Sequence, residues 1–190
     1  DFTVTAEPKT YDGTTAAKVS AVLTDPEDEN DSVKAEVTAA FTDPNAGENK
    51  PVSYEITGLS GKDAGKYVLA DSMQGNTVGT VSKAIVLVIC PETTTRTYNG
   101  EPQKVDLTAM AGGKMLESSM YQITYDGQPE ARNVGTYPIA LTLTPQADQN
   151  YTVAPFTAVL KIAEAAQEVF SIEDVPEQVY YGDSFTVSAN

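Results

Sequence analysis

The chain contains no histidine and no tryptophan, a single cysteine and few basic residues. Each shortage removes a class of function. Without histidine there is no Ser-His-Asp or Cys-His catalysis and no imidazole metal site. One cysteine, Cys90, cannot form an intrachain disulfide, so the chain is not a disulfide-stapled miniprotein. Cys90 ends the apolar run from Ile85, where a small buried hydrophobe fits better than a reactive thiol. Twelve Lys and Arg stand against 27 Asp and Glu, a formal charge of −15. Nucleic acid is thereby excluded as a partner, because its binding needs clustered cations to displace counterions. No segment approaches the roughly 18–20 continuous apolar residues of a membrane span, so membrane insertion by this segment is not expected. The Gly-rich, Lys-containing phosphate loop is also missing.

The remaining 190 residues suit two small domains. Internal similarity organises them. Tyr11-Asp12-Gly13 recurs as Tyr98-Asn99-Gly100, and more loosely as Tyr181-Gly182-Asp183. Asn45-Ala46-Gly47 recurs as Asn133-Val134-Gly135, and Lys66-Tyr67-Val68 as Asn150-Tyr151-Thr152-Val153. The first two copies keep these landmarks in order at nearly one offset. One repeat therefore spans residues 1–84, a second 85–164, and residues 165–190 open a third. The chain starts inside a strand-like segment, Asp1–Thr5, as a piece of a longer protein would.

Between landmarks the pattern is that of strands. Val33, Ala35, Val37, Ala39 and Phe41 alternate with polar residues, as do Val52, Tyr54 and Ile56. Tyr121, Ile123 and Tyr125 do so in the second copy, followed by Ile139, Leu141 and Leu143. Period-two alternation turns one face to a core and the other to water. Turn residues separate the runs: Asp12-Gly13, Asp43-Pro44-Asn45, Asn99-Gly100 and Gly112-Gly113. The expected fold is all-β, with tandem small Ig-like β-sandwich domains. The alternative is a β-grasp-like module with a short helix, for which Thr15–Leu23 and Ala163–Val169 are the helical candidates.

The landmarks have structural readings. Gly13 and Gly100 permit positive φ in a tight turn. Gly47 and Gly135 recur at matching places as repeat landmarks. Tyr67 and Tyr151 are placed to open a late strand, burying a ring and tying a hydroxyl to backbone, with ligand stacking as the alternative. The acidic run Asp25–Asp31 has two readings. It is a solvated loop, or Asp25, Glu27, Asp28 and Asp31 supply oxygen ligands to calcium, without EF-hand spacing. Lys18, Lys34, Lys83 and Lys161 lie near apolar runs and are candidates for a Lys-to-Asn or Lys-to-Asp isopeptide bond, against the plainer reading of solvated lysines. Two carboxylates could serve glycoside hydrolysis, but among 27 acids some pair is always close.

Lys9–Thr15, Phe41–Gly47 and Leu59–Tyr67 together resemble the YDG domain of bacterial surface proteins. The second copy is similar to the related MBG and bacterial Ig-like repeats through Thr97–Gly100, Tyr121–Tyr125, Asn133–Tyr137 and Gln149–Tyr151. It departs from the YDG pattern in having Asn99 for Asp and in lacking the Gly-Lys-Asp-Ala-Gly stretch. The resemblance implies a stalk or spacer repeat of an extracellular, adhesin-like or cell-wall protein, without catalytic residues or cofactor. Its partners would be neighbouring repeats of the same chain. A host glycan or host protein is the partner under the alternative, adhesive reading.

Overall fold

The computed structural model describes residues 1–24, 26–69, 73–166, 172–173, 181–182, 184 and 188–189. The fold is all-β. The first repeat carries β1 (Phe2–Ala6), β2 (Lys9–Thr10), β3 (Val19–Leu23), β4 (Lys34–Phe41), β5 (Gly47–Ser60) and β6 (Met73–Ser82). The second carries β7 (Ala84–Ile89), β8 (Thr93–Thr97), β9 (Thr108–Ala111), β10 (Lys114–Met115), β11 (Tyr121–Tyr125), β12 (Gly135–Leu143), β13 (Tyr151–Val153) and β14 (Val159–Ala163). Beyond them β15 (Ile172–Glu173) pairs antiparallel with β16 (Ser188–Ala189).

Two four-stranded sheets share one plan. In the first repeat the order is β2-β6-β5-β4, and in the second β8-β14-β12-β11. Each time an early strand runs parallel to the last one, which is otherwise flanked by an antiparallel neighbour. The parallel ladder joins two residue pairs in the first repeat and five in the second. A second layer covers each sheet: the β1–β3 pair in the first repeat, and β10-β9-β7-β13 in the second. The alternation seen in the sequence decides which side faces inward. Phe41, Val52 and Val81 are buried together, with Ala6 of β1 and Val19 of β3 packed on them. In the second repeat Leu141 of β12 packs with Val86 of β7 and Ala109 of β9, so the two layers meet there. Leu160 and Ile162 of β14 form a second cluster with Tyr125, Ile139 and Val105.

Thr15–Leu23 is not helical. Its alternating residues Val19, Ala21 and Leu23 are half-buried, and β3 pairs along its whole length with β1. Tertiary pairing overrides the helix preference of an alanine-containing window. Of the other helical candidate, Ala163 ends β14 and residues 167–169 lie outside the described set. The α-helix among the described residues is one turn, Pro145–Asp148, capped by the Thr144 side chain. It links β12 to β13 rather than crossing a sheet. The break between the two strand sets is a single residue, Lys83, one position before the boundary expected from the repeats.

Candidate functional site

The Tyr-Asp-Gly landmark is a polar turn built around one carboxylate. Asp12 Oδ1 accepts from the Thr14 N–H and the Thr14 hydroxyl, both at 2.8 Å. Lys9, three residues upstream of Asp12, donates to the same oxygen at 2.8 Å and to the carbonyls of Thr14 and Ala16 at 3.1 Å. The Lys9 hydrogen bond, and then the Thr14 N–H, hold the Asp12 carboxyl down to about 2. Gly13 and Gly100 both have φ of 80°, so the turn has the same shape in the second copy. There the neutral Asn99 Oδ1 accepts from the Glu101 N–H at 3.0 Å and from the Gln103 amide. The position corresponding to Lys9 is Arg96, which points to Asp106 instead. An amide thus does the work of Asp12 where no lysine completes the turn.

Of the calcium candidates, Asp25 lies outside the described residues. Asp31 is already engaged. Its side chain is 4% exposed, pairs with Lys66 through Oδ1 and accepts the Tyr67 hydroxyl through Oδ2 at 2.6 Å. The Tyr67 oxygen in turn accepts from the Glu27 N–H at 2.9 Å. Asp63 accepts from the Ser32 N–H at 2.9 Å and sits 3.2 Å from Lys66. Asp28 receives the N–H and side-chain amide of Asn30. Among the described residues no group of three or more His, Cys, Asp or Glu is placed to hold a metal ion. Tyr67 follows the 3-10 turn Ala64–Lys66 and lies outside the strands. Its hydroxyl closes the acidic loop, and the Asp31 hydrogen bond raises its pKa.

Lys66 first and Tyr67 second hold Asp31 below the ordinary aspartate value of 3.8. Asp43 is lowered by Lys50 and the Asn45 N–H, and Asp63 by the Ser32 N–H and Lys66. These three and Asp12 all lie in the first repeat. A carboxyl depressed by folding contributes stability that is present above its unfolded value and is lost as pH falls through the folded one. The first repeat is therefore expected to lose stability as pH drops from about 4 towards 2. Residue-resolved amide exchange along an acid titration checks this. Loss of protection at Val52 before Leu160 is the expected order, and the reverse order contradicts it.

The tightest grouping of landmarks joins the two repeats. Asn150, 8% exposed, reaches back to the Asp43–Ala46 turn of the first repeat. Its Oδ1 accepts the Ala46 N–H at 2.8 Å, and its Nδ2 donates to Asn45 Oδ1 at 3.0 Å. Its carbonyl accepts the N–H of Ala84, the first residue of β7. Beside it Tyr151, which opens β13, meets Tyr11 edge to face, with ring centroids 5.3 Å apart. Burial raises the Tyr151 pKa. Lys83 and Asp148 form an exposed ion pair at 3.4 Å across the same seam. A cleft of about 310 Å³ opens next to the tyrosines, lined by Gly13, Ala84, Leu116 and Glu117 among others. Of its two acids, Asp12 is committed to Lys9, and Glu117 lines the wall together with Lys114.

Gly47 and Gly135 occupy matching places, as the first residues of β5 and β12, paired with Val81 and Ile162 of the respective last strands. Tyr98 is 40% exposed. Lys18, Lys34, Lys83 and Lys161 are all exposed, which is not the buried setting that isopeptide formation needs. Cys90 is half-buried against the Leu160 cluster. The sequence reading missed that Asn45 and Asn150 touch. The signal was present, because both recur as landmarks, but nothing local says that one copy's turn meets the next copy's strand.

The YDG domain family model matches residues 2–75. The YDG match covers the acidic loop and the Asp12 turn, and ends inside β6. No curated protein and no solved structure matches the chain. No helix among the described residues is long and apolar enough to cross a membrane.

Proposed function

We propose that this chain is a non-catalytic extracellular segment of a bacterial surface protein, in which a YDG repeat, an MBG-type Ig-like repeat and the start of a third serve as a stalk or spacer of an adhesin-like assembly. One observation carries the reading. The repeats are separated by Lys83 alone and held by Asn150 on the Asn45–Ala46 turn and by Tyr151 on Tyr11. A flexible linker would need several Gly or Ser residues. A one-residue link with directional hydrogen bonds instead transmits orientation from one repeat to the next. The charge of −15 supports solubility and spacing between neighbouring copies, and supports a partner list without nucleic acid.

Small-angle scattering of the chain, with and without calcium, tests the reading. An extended particle unaffected by calcium is expected. Asn150→Ala leaves the Ala46 N–H and Asn45 oxygen without their partner and should broaden the distribution of interdomain distances. It should also cost about 1–3 kcal/mol in urea unfolding. A compact particle, or an Asn150→Ala profile identical to the parent, overturns the spacer reading.

A second reading, adhesion to a host glycan or protein, is favoured by the outer face of β7. Ile85, Leu87 and Ile89 are 58%, 56% and 57% exposed in a row on that strand. Exposed aliphatic stripes of this kind mark contact surfaces.

A further inference from the structure

We propose that Tyr98, Asn133 and Val134 at the far end of the second repeat form a docking site for the Asn-Tyr pair of a following repeat, built as the first repeat's Tyr11, Asn45 and Ala46 are for Asn150-Tyr151. The proposal rests on the stalk reading and gives it a joint that can be repeated.

Three observations fix the equivalence. The Tyr11 N–H donates to Ser82 O, and the Tyr98 N–H to Ala163 O, both at 2.8 Å. Each tyrosine is thus pinned to the last residue of its repeat's exit strand. Gly47 pairs with Val81 and Gly135 with Ile162, so Asn45 and Asn133 stand two residues before the same register position. Gly13 and Gly100 share a φ of 80°, which gives the tyrosine-bearing turns one shape. Lys83-Ala84 then corresponds to Glu164-Ala165.

Exposure differs between the two ends as occupied and open sites should. Tyr11 and Ala46 are half-buried, and Ala84 is 5% exposed under Asn150. Tyr98 is 40% and Val134 48% exposed, and Ala165 is exposed as well, whereas Asn45 and Asn133 are exposed alike. The open end offers the same groups: a backbone N–H at Val134, a side-chain amide at Asn133, a ring at Tyr98 and an N–H at Ala165. An asparagine carboxamide satisfies the first two at once, as one acceptor and one donor. A tyrosine following it meets the ring. The chain contains one Asn-Tyr pair, Asn150-Tyr151, and the first repeat already holds it. The Lys66-Tyr67 pair, which stands at that position in the first repeat, is drawn into its own acidic loop by Asp31. The occupant is therefore a repeat that presents Asn-Tyr, rather than Lys-Tyr, at the start of its parallel strand.

The test extends the chain by one joint. Residues 1–164 are followed directly by a second copy of residues 84–163, so that Glu164 takes the place of Lys83. Hydrogen exchange at the Val134 amide of the first copy is the readout, and protection at Leu160 and Ile162 in both copies reports folding. Val134 is expected to exchange at least ~fivefold more slowly than in the unextended chain, the worth of one ordinary hydrogen bond. Asn150→Ala in the appended copy alone should restore the original rate. Should that change unfold the appended copy, Tyr98→Ala on the accepting side gives the same reading, since its ring is exposed in the folded repeat. Unchanged exchange at Val134, or slowing that survives both substitutions, overturns the proposal. Scattering from the 190-residue chain bears on the Tyr11–Tyr151 joint alone. A rod with an unprotected Val134 would leave the stalk standing and remove the docking site.

Discussion

Leu160→Ala is expected to destabilise the second repeat by about 2–5 kcal/mol. Leu160 is 0% exposed, in the strand that lies between β12 and β8. Its side chain packs in the cluster with Tyr125, Ile139 and Ile162. Deleting three carbons removes their transfer energy and leaves a cavity that strands hydrogen-bonded on both sides cannot collapse to fill. The response of the first repeat is the informative part. In a linear array, stability is a sum of each repeat's own stability and its contact with neighbours. Unfolding of the second repeat removes Asn150 and Tyr151 from the first, which should lose only that interface contribution. Urea titration followed by amide exchange is expected to show protection vanishing at Ile162 well before Val52. Equal loss at both sites would mean that the two repeats unfold as one unit, and would refute the array description.

Gly61→Ala is expected to be the most damaging single-methyl addition in the first repeat. Gly61 has φ of 110°, which side chains rarely adopt, and an added Cβ would lie 2.4 Å from Ser32 O and 3.1 Å from Ser32 C. The backbone region alone costs on the order of 1–3 kcal/mol. The clash is with main chain, so relief requires the 61–67 segment and the approach to β4 to separate. That movement breaks the Asp63–Ser32 hydrogen bond and loosens Lys66 from Asp31. Gly65→Ala, four residues on, meets nothing within 4 Å. It should stay within about 0.5 kcal/mol of the parent in thermal unfolding. If the two variants melt together, the close approach at Ser32 is not a constraint on the fold.

The strands that alternate cleanly were legible before the fold was known. Val52, Tyr54 and Ile56 read as an inward face, and β5 contains them; Ile139 and Leu141 do the same in β12. Turn glycines were equally readable, because the chemistry that demands positive φ is local. The run Ile85–Ile89 misleads, because uninterrupted apolar residues suggest burial on both faces, yet Ile85, Leu87 and Ile89 face outward. Thr15–Leu23 misleads in the opposite way, since its partner β1 is distant and leaves no mark on the window itself. The parallel pairing of early and last strands has no local signature at all. Asn45 and Asn150 are 105 residues apart, and each alone looks like an ordinary turn residue. The acidic loop was visible as a charge run, but its binding of Lys66 and Tyr67 needed the fold.

The parallel ladders also determine how the chain answers tension. A pull along the array enters a repeat at its beginning and leaves by its last strand. Because β2 lies beside β6, and β8 beside β14, in the same direction, such a load slides the strands past one another and stresses their hydrogen bonds together rather than one by one. The two-residue ladder at Lys9–Thr10 and the five-residue ladder at Thr93–Thr97 then act as clamps of unequal strength. Under a steady pull the first repeat should yield before the second, leaving the second as the element that sets the greatest force the folded chain can bear.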